Sequence, residues 1–269
     1  MAAQQDKAER FCALHRRDGA FLIPNPWDAG SARLLEGLGF AALATTSAGF
    51  AQTLGRRDGQ VSLAEKLDHV AAICAATDVP VSVDFENGFG ATPQAVADAI
   101  TQVAAAGAVG ASIEDFSGSS LYGLDEATER LQAAVAAARG LDFPFTLTAR
   151  AENLLRGVDD LDDTVRRLQA YEAAGADVVY APGLVSLEQV RAVTAAVSCP
   201  VNVLAPFIPT ASLDDLAAAG ARRVSVGGAL ALLSMAPVIE AGREMLEGGT
   251  FGWLGQVGAG AGIQRYLQG

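Results

Sequence analysis

Acidic side chains stand at the ends of two short β-branched segments of this 269-residue chain. Asp84 and Glu86 end one segment, and Glu114 and Asp115 end the other. Like charges brought together raise one another's pKa unless a cation lies among them, and carboxylate oxygens are the ligands that Mg²⁺ and Mn²⁺ prefer. We therefore predict a Mg²⁺ or Mn²⁺ site. Because Mg²⁺ keeps several waters and needs only one or two direct carboxylates, we expect Asp84 to contact it directly and the other acids to act through water. Alternatively these acids only cap the following helices, which we prefer for Asp115 alone.

Arg150 is the basic counterpart of these acids. It ends the segment 145–150, and its planar guanidinium can hold a carboxylate through two parallel hydrogen bonds. A salt bridge to Glu152 or Glu114 is the alternative role. The segment Ser47–Gly49 could direct backbone N–H groups at an anionic oxygen. These features together predict a pocket for a small carboxylate.

Eight short strand-like segments place these residues at comparable positions. Four follow a glycine suited to end a helix, three begin with proline, and one lies near the N-terminus. Each is followed by an Ala- and Leu-rich stretch of helical period. The fold class is therefore α/β, and eight parallel βα units predict a (β/α)8 TIM-type barrel rather than an open doubly wound sheet. The predicted strands lie at residues 20–24, 39–43, 80–84, 107–113, 144–148, 175–180, 200–204 and 220–226.

The active site of such a barrel lies at the C-terminal ends of its strands, where the acids and Arg150 stand. We predict a barrel over residues 1–235 and a C-terminal helical extension over the glycine-rich residues 236–269. Capping residues mark predicted helix starts near residues 62, 92 and 186. His15 and His69 fall on outer helices, so we expect acid–base chemistry from other side chains.

The composition disfavours several classes of partner. Thirty-one Asp and Glu against 19 Lys and Arg leave a net charge of −12, which disfavours nucleic acid and anionic lipid. An anionic substrate therefore needs a local cation or metal inside the pocket. Cys12, Cys74 and Cys199 lack the spacing of a disulfide framework or a zinc site, and the chain shows no signal peptide and no membrane-spanning run. These features predict a cytoplasmic protein.

Three motifs follow one another on the third, fourth and fifth predicted strands: Asp84-Phe-Glu-Asn-Gly-Phe-Gly90, Gly110-Ala-Ser-Ile-Glu-Asp115 and Thr148-Ala-Arg150. With Asn25-Pro-Trp-Asp28 before them, the chain resembles the isocitrate lyase and phosphoenolpyruvate mutase superfamily from about residue 21 to residue 228. The resemblance implies cleavage or formation of a C–C or P–C bond next to a 2-oxo acid, through a Mg²⁺-stabilised enolate. It also implies a homodimer or homotetramer that exchanges the last helix.

The same resemblance implies roles for individual residues. Asp84 binds Mg²⁺, while Glu86, Glu114 and Asp58 hold its waters. Arg150 grips the substrate, and the backbone of the segment Ser47–Gly49 contacts its carboxylate. The full set of implied substrate-binding residues is Trp27, Thr45, Ser47, Ala48, Gly49, Arg150 and Asn202.

Departures from the superfamily's pattern bear on the reaction. The Lys-Lys-Cys-Gly-His motif of the lyases is missing, and the segment 116–123 in its place has no Cys, Lys or His. The Lys and Asn of the mutase gating loop are also absent, and Ala48 stands where family members often have glycine. The segment that begins at Asn202 keeps the asparagine but lacks the Thr-Glu pair of the lyases. These departures favour a small substrate. Oxaloacetate decarboxylation depends least on an acid in this loop, because a chelating metal can hold the enolate after CO₂ leaves. Tyr122 is the candidate proton donor.

These observations predict a Mg²⁺-dependent lyase for a four- to six-carbon 2-oxo or 2-hydroxy dicarboxylate, similar to oxaloacetate decarboxylase or methylisocitrate lyase. Arg150, Glu114 and Tyr122 are its candidate catalytic residues. Two alternatives stay open. One is a protein that binds a 2-oxo acid and Mg²⁺ with little catalysis, because the loop acid is missing. The other is a hydrolase of a C–C or P–C bond in which Ser119, Ser120 or Tyr122 assists a water.

Overall fold

The computed structural model describes residues 2–267 and contains eight parallel strands that alternate with helices. The strands are β1 (Phe21–Ile23), β2 (Leu43–Ala44), β3 (Val81–Asp84), β4 (Gly110–Glu114), β5 (Thr146–Arg150), β6 (Val178–Tyr180), β7 (Val201–Leu204) and β8 (Arg223–Ser225). The α-helices are α1 (Ala2–Arg16), α2 (Ala29–Gly37), α3 (Ser47–Thr53), α4 (Leu63–Ala76), α5 (Pro93–Ala105), α6 (Leu124–Arg139), α7 (Leu161–Ala173), α8 (Leu187–Ala196), α9 (Leu213–Ala218), α10 (Ala229–Arg243) and α11 (Leu254–Gly260).

The strands follow one another around a barrel, in the order β1-β8-β7-β6-β5-β4-β3-β2. Two hydrogen bonds outside the regular ladder connect the chain just after β1 with the end of β2. Ala44 N donates to Pro24 O at 3.1 Å, and Asn25 Nδ2 donates to Thr45 O at 3.1 Å. An open doubly wound sheet would reverse its strand order at a switch point, and this sheet does not. The prediction of a (β/α)8 barrel is confirmed.

The helices begin where capping side chains satisfy free backbone N–H groups. Ser62 and Glu65 form a reciprocal capping box at α4, and Thr92 caps α5 ahead of a proline in its first turn. Ser186 caps α8 by accepting from Gln189 N. Helix α1 precedes the barrel and buries Phe11 fully in a cluster with Ile23 and Val109. Among residues 2–267, none of the helices combines the length and the hydrophobicity of a membrane span.

Helix α10 is poorly covered by its own chain. Ala231 is its only buried residue, and Leu233, Val238 and Ile239 are each more than half exposed. Leu22 on β1 is also 40% exposed, although barrel strands are normally covered by helices on the outside. The predicted boundary between residues 235 and 236 lies inside α10, and the last two residues of the predicted extension lie outside the described residues.

Candidate active site

Two adjoining cavities open at the C-terminal ends of the strands. The inner cavity measures about 160 Å³ and extends into the barrel, and the outer one measures about 540 Å³. Ser47, Asp58, Arg150 and Leu155 line both of them. The candidate site therefore lies at the end of the barrel where the sequence places its polar residues.

Asp84 ends β3 with both carboxylate oxygens engaged. Arg150 Nη1 donates to its Oδ1 at 2.7 Å, and the backbone N–H of Ser47 donates to its Oδ2 at 2.9 Å. Its own backbone N–H donates to Thr45 Oγ1 at 3.0 Å. Burial alone would raise the pKa of Asp84, but Arg150, Lys66 and the Ser47 N–H hold this pKa below its ordinary value. Asp84 is therefore a fixed, ionised carboxylate.

Arg150 is surrounded by carboxylates. Besides Asp84, its Nη2 lies 2.7 Å from Glu152 Oε1 and 3.3 Å from Glu114 Oε2, and its Nε donates to Glu152 Oε1 at 3.1 Å. Arg156 adds a second cation, with its Nη2 2.9 Å from Glu152 Oε2. The predicted alternative of salt bridges to Glu152 and Glu114 therefore describes how Arg150 is held in this structure.

Glu86 lies beside this cluster in a strained backbone conformation. Its φ is +48°, a left-handed value that residues other than glycine rarely adopt away from functional sites. The fully buried Lys66 places its Nζ 3.3 Å from Glu86 Oε1 and donates to Asp84 O at 3.2 Å. Even so, Glu86 Oε1 is buried without a well-oriented hydrogen bond. Burial, followed by the charges of Asp84 and Asp58, raises the pKa of Glu86 despite Lys66.

The donor set fits a hard divalent cation. Five carboxylates face three cations, so the ionised cluster has a formal excess of two negative charges. Within residues 2–267, no three His, Cys, Asp or Glu side chains already converge as a complete ligand set. Mg²⁺ suits such a site because it takes one or two carboxylates and keeps waters in its other positions. The cluster comprises Asp58, Asp84, Glu86, Glu114 and Glu152 with Lys66, Arg150 and Arg156.

Glu114 makes the metal-free cluster sensitive to pH. Burial is the largest cause that raises its pKa, Glu152 and Asp84 raise it further, and the pKa reaches about 8 despite Arg150. A carboxyl whose folded pKa exceeds its unfolded value stabilises the fold fully below the unfolded pKa and loses that stabilisation as pH rises through the folded one. In EDTA we therefore expect Tm to fall between pH 5 and pH 8.5, and to fall less in Glu114→Gln. Scanning calorimetry of both proteins measures this, and equal slopes would contradict it.

The segment Ser47–Gly49 forms the first turn of α3, which is capped by Thr46. Ser47 N–H bonds to Asp84, and Gly49 N–H donates to Thr46 Oγ1 at 3.2 Å. Two of the three predicted anion-binding N–H groups therefore have protein acceptors. Ser47 and Ala48 line the inner cavity, whereas a Cβ at Gly49 would meet Thr46, Trp27 and Ala231.

The other predicted substrate-binding residues divide between the cavity and its surroundings. Thr45 and Asn202 line the inner cavity. Trp27 is not in the lining of either cavity, and its carbonyl bonds to His69 Nε2 at 2.9 Å. His69 also stacks on Phe50, and burial lowers its pKa to about 4. His69 thus contacts the residues around the site from an outer helix, without reaching the carboxylates.

Tyr122, the predicted proton donor, lies apart from both cavities. Its ring stacks on the Arg130 guanidinium at 4.4 Å, and it lines a much smaller pocket behind Glu114 and Arg150. The neighbouring loop closes on itself, because Ser117 Oγ bonds to the hydroxyls of Ser119 and Ser120 at 3.1 and 3.3 Å. These hydroxyls are exposed and engaged with one another.

Asp115 is a buried anchor, and it does not cap a surface helix. Tyr171 OH donates to its Oδ2 at 2.5 Å, Arg167 Nη1 donates to Oδ2 at 2.8 Å, and Glu152 N donates to Oδ1 at 2.8 Å. Through the last bond Asp115 positions the chain that carries Glu152. The interpretation of Asp115 as a helix cap was wrong, because its side chain is buried and its carboxylate bonds to Tyr171 and Arg167 on α7.

Four site residues were missed by the sequence analysis or mentioned only in passing: Lys66, Glu152, Arg156 and Arg223. Lys66 gave a signal, since it lies on the apolar side of α4 with Leu63 and Val70, where a solvated lysine is not expected. Glu152 appeared only as a possible salt-bridge partner of Arg150, two residues away, and Arg156 lies four residues beyond it. Arg223 gave no signal, because its role depends on contacts across the barrel.

The sequence of this chain is similar to those of known proteins. The family model described as phosphoenolpyruvate phosphomutase matches residues 11–246. An oxaloacetate decarboxylase from Paraburkholderia xenovorans is 35% identical over 79% of this chain and 72% of its own. A 2-methylisocitrate lyase from Halalkalibacterium halodurans is 29% identical over 74% of this chain and 67% of its own.

Solved structures show the same relationship. A Burkholderia cenocepacia crystal structure, provisionally assigned as a lyase or mutase, is 52% identical with a TM-score of 0.96 and covers 100% of this chain and 98% of its own. An oxaloacetate acetylhydrolase bound to its product oxalate is 28% identical, with a TM-score of 0.83 over 91% of this chain and 89% of its own. The chain belongs to the phosphoenolpyruvate phosphomutase family, and with it to the isocitrate lyase and phosphoenolpyruvate mutase superfamily.

Proposed function

We propose that this protein is a Mg²⁺-dependent lyase that cleaves a carbon–carbon bond of a small 2-oxo or 2-hydroxy dicarboxylate. The observation that carries the proposal is the cluster of five carboxylates around Asp84, which three neighbouring cations leave with a formal excess of two negative charges when all are ionised, beside the inner cavity. Such a cluster is costly without a cation, and a metal held by it would lie beside the space where a small acid fits. Relatives named as oxaloacetate decarboxylase and 2-methylisocitrate lyase support the same class of bond.

The residues divide the work between holding the metal and holding the site in shape. Asp84 is the proposed direct ligand, with Glu86, Glu114 and Asp58 placed to hold waters. When bound, Mg²⁺ would act as a Lewis acid and stabilise the negative charge that develops on an enolate oxygen. Arg150 fixes the positions of Asp84 and Glu114 through its guanidinium contacts. Preorganised charge of this kind needs no rearrangement during the reaction.

Decarboxylation of oxaloacetate is the first reaction to test. It leaves an enolate after CO₂ departs and therefore demands no acid from the loop after β4, which offers only hydroxyls turned toward one another. The inner cavity of about 160 Å³ is also close to the size, about 150 Å³, that holds a benzene-sized molecule. A four-carbon acid fits this space without extending into the outer cavity of about 540 Å³.

An NMR time course tests the proposal directly. Purified protein is mixed with Mg²⁺ and separately with oxaloacetate, 2-methylisocitrate, isocitrate, 2,3-dimethylmalate and phosphonopyruvate, with enzyme-free and EDTA controls. We expect pyruvate, glyoxylate or succinate to appear faster than in the enzyme-free tube in one case, and EDTA to abolish the difference. Ligand broadening without turnover would support the binding-protein alternative, and released phosphate would support the hydrolase.

We also propose that the protein is a homo-oligomer in which α10 packs against a second copy. The exposed Leu233 and Val238 on α10, and the exposed Leu22 on β1, are apolar surfaces that a partner's α10 would cover. We expect light scattering to give a dimer or tetramer mass, and Leu233→Arg with Val238→Arg to give a monomer. Gln102→Arg, on the exposed surface of α5, is the control. A monomeric wild-type protein would contradict the proposal.

A further inference from the structure

Arg130 is a buried arginine on α6 to which the proposed reaction gives no part. It is 2% exposed, and its Nη2 donates to Asn87 O and to Gly90 O, each at 2.8 Å. None of the salt bridges in residues 2–267 includes Arg130, and its Nε is buried there without a hydrogen-bond partner. A buried cation without a carboxylate is unfavourable for folding. Packing alone therefore does not account for an arginine here.

The two carbonyl groups that accept from Arg130 belong to the β3–α5 loop, which we define as residues 85–92. This loop contains two non-glycine residues with a left-handed backbone, Glu86 at φ +48° and Phe89 at φ +55°, and Gly88 has φ +81°. Such conformations are unfavourable for residues that carry a side chain, and they persist only where the surrounding structure holds them. The loop that carries Glu86 to the carboxylate cluster therefore depends on contacts from outside it.

Arg130 supplies two of those contacts. Buried carbonyl groups of an irregular segment need hydrogen-bond donors from elsewhere in the chain. Glu86 O accepts from Glu114 N at 2.9 Å. Asn87 O and Gly90 O accept from Arg130. One guanidinium group thus bonds on both sides of the two left-handed residues that lie between these carbonyls, and it joins the ends of this turn.

The guanidinium of Arg130 is itself held by the neighbouring loop. Its Cζ lies 4.4 Å from the centre of the Tyr122 ring, an arrangement in which the cation faces the aromatic π system. The backbone of Tyr122 is fixed on both sides, because its N–H donates to Asp115 O at 2.8 Å and its carbonyl accepts from Arg167 Nη1 at 3.1 Å. Arg130 therefore links the loop after β3 to a fixed segment after β4.

We propose that Arg130 is a positioning residue for the metal site, because it holds the β3–α5 loop in the conformation that presents Glu86 to the waters of a bound Mg²⁺. The inference rests on the proposed function and names a residue that determines the shape of its metal site. Arg130 lines neither the inner nor the outer cavity, and it lies in a small pocket behind Glu114 and Arg150. It therefore acts through Glu86 and does not contact the substrate.

Titration with Mn²⁺, followed by the electron paramagnetic resonance of the free ion, tests this role without turnover. Residues that orient metal ligands typically contribute about 10- to 100-fold to metal affinity. We expect Arg130→Met to raise the Kd for Mn²⁺ by about 10-fold or more, and Arg130→Lys, which keeps a charged donor, to raise it less. If Arg130 acts through Glu86, Arg130→Met in a Glu86→Gln background should change Kd by less than about two-fold.

Arg139→Met is the matched control. Arg139 lies on the same helix and also bonds to a loop carbonyl, donating from Nη2 to Gly175 O at 3.1 Å, but at the opposite end of the barrel. Its replacement should leave the Kd for Mn²⁺ unchanged. A lower Tm in folded Arg130→Met with the Kd of wild type would show a purely structural arginine and would overturn the proposal. An equal loss of affinity in the wild-type and Glu86→Gln backgrounds would overturn it as well.

Hydrogen–deuterium exchange of the metal-free proteins gives an independent readout. We expect peptides that cover residues 85–92 to exchange faster in Arg130→Lys than in wild type, while peptides from β5 and β7 exchange at wild-type rates. Because lysine keeps the charge, Arg130→Lys also serves for the Mn²⁺ titration if Arg130→Met does not fold. Unchanged exchange in the β3–α5 loop would contradict the positioning role.

The positioning role and the proposed lyase can fail separately. Turnover of an acid from the NMR panel, with a Mn²⁺ affinity that does not depend on Arg130, would refute the positioning role and keep the lyase. A Mn²⁺ affinity that depends on Arg130 through Glu86, without turnover of any acid, would keep the positioning role and refute the lyase. Folded wild-type protein that binds no Mn²⁺ would refute both.

Discussion

Asp84→Asn should lower Mg²⁺-dependent kcat/KM by about 10³-fold or more, because Lewis-acid stabilisation contributes several kcal/mol to the transition state. Asparagine is nearly isosteric and can still accept the Ser47 N–H bond through its amide oxygen, so the turn at α3 should survive. What disappears is the charge that pairs with Arg150 and the proposed direct ligand. Initial rates at several Mg²⁺ concentrations measure the loss.

Asp98→Asn is the matched control for this substitution. Asp98 is exposed on α5 and accepts a hydrogen bond from Gln94 on the same helix, so its replacement should leave both rate and Tm unchanged. Unchanged Mg²⁺-dependent turnover in a folded Asp84→Asn protein would remove Asp84 from the metal site.

Arg150→Met should lower the free energy of unfolding by about 3–5 kcal/mol, the typical result of removing one partner from a buried ion pair. The substitution leaves Asp84, Glu114 and Glu152 buried with less positive charge. Activity should be lost with it, because these carboxylates no longer have fixed positions. Urea denaturation in EDTA and in Mg²⁺ measures the effect, and we expect the deficit to be smaller with Mg²⁺, which supplies replacement charge.

Arg156→Met is the comparison for Arg150. Arg156 also contacts Glu152, at 2.9 Å, but its side chain is 35% exposed and stacks on Phe116. Partly exposed pairs contribute about 1 kcal/mol or less, so its replacement should cost much less than that of Arg150. Equal losses in the two variants would show that the cluster does not depend on Arg150 as its central cation.

The barrel was predictable because local patterns and the global fold agree. Glycines and prolines mark the strand starts, and every predicted strand overlaps an observed one. The motifs around Asp84, Glu114 and Arg150 end neighbouring strands, so parallel pairing alone brings them together. Glu114 and Arg150 are even direct register partners. Strand-borne site residues are therefore visible in a sequence.

The roles of the remaining residues depend on tertiary contacts. Lys66 reaches Asp84 from the inward face of a helix, and Arg223 crosses the barrel from β8 to Thr148 on β5. Tyr122 is near Glu114 in sequence, yet its ring packs on Arg130 behind the cluster. The direction of each side chain is set by packing between elements, so sequence separation is a poor guide to it.

Oxalate tests, without knowledge of the substrate, whether the Asp84 cluster holds Mg²⁺ where an enolate would form. Oxalate is a stable dianion that resembles the enolate of pyruvate, so titration calorimetry with Mg²⁺, with EDTA and with Asp84→Asn isolates the metal's contribution. We predict tight binding to wild-type protein in Mg²⁺, and at least about 100-fold weaker binding in EDTA or in Asp84→Asn. Equal oxalate affinity with and without Mg²⁺, or no binding by folded wild-type protein, would contradict the account.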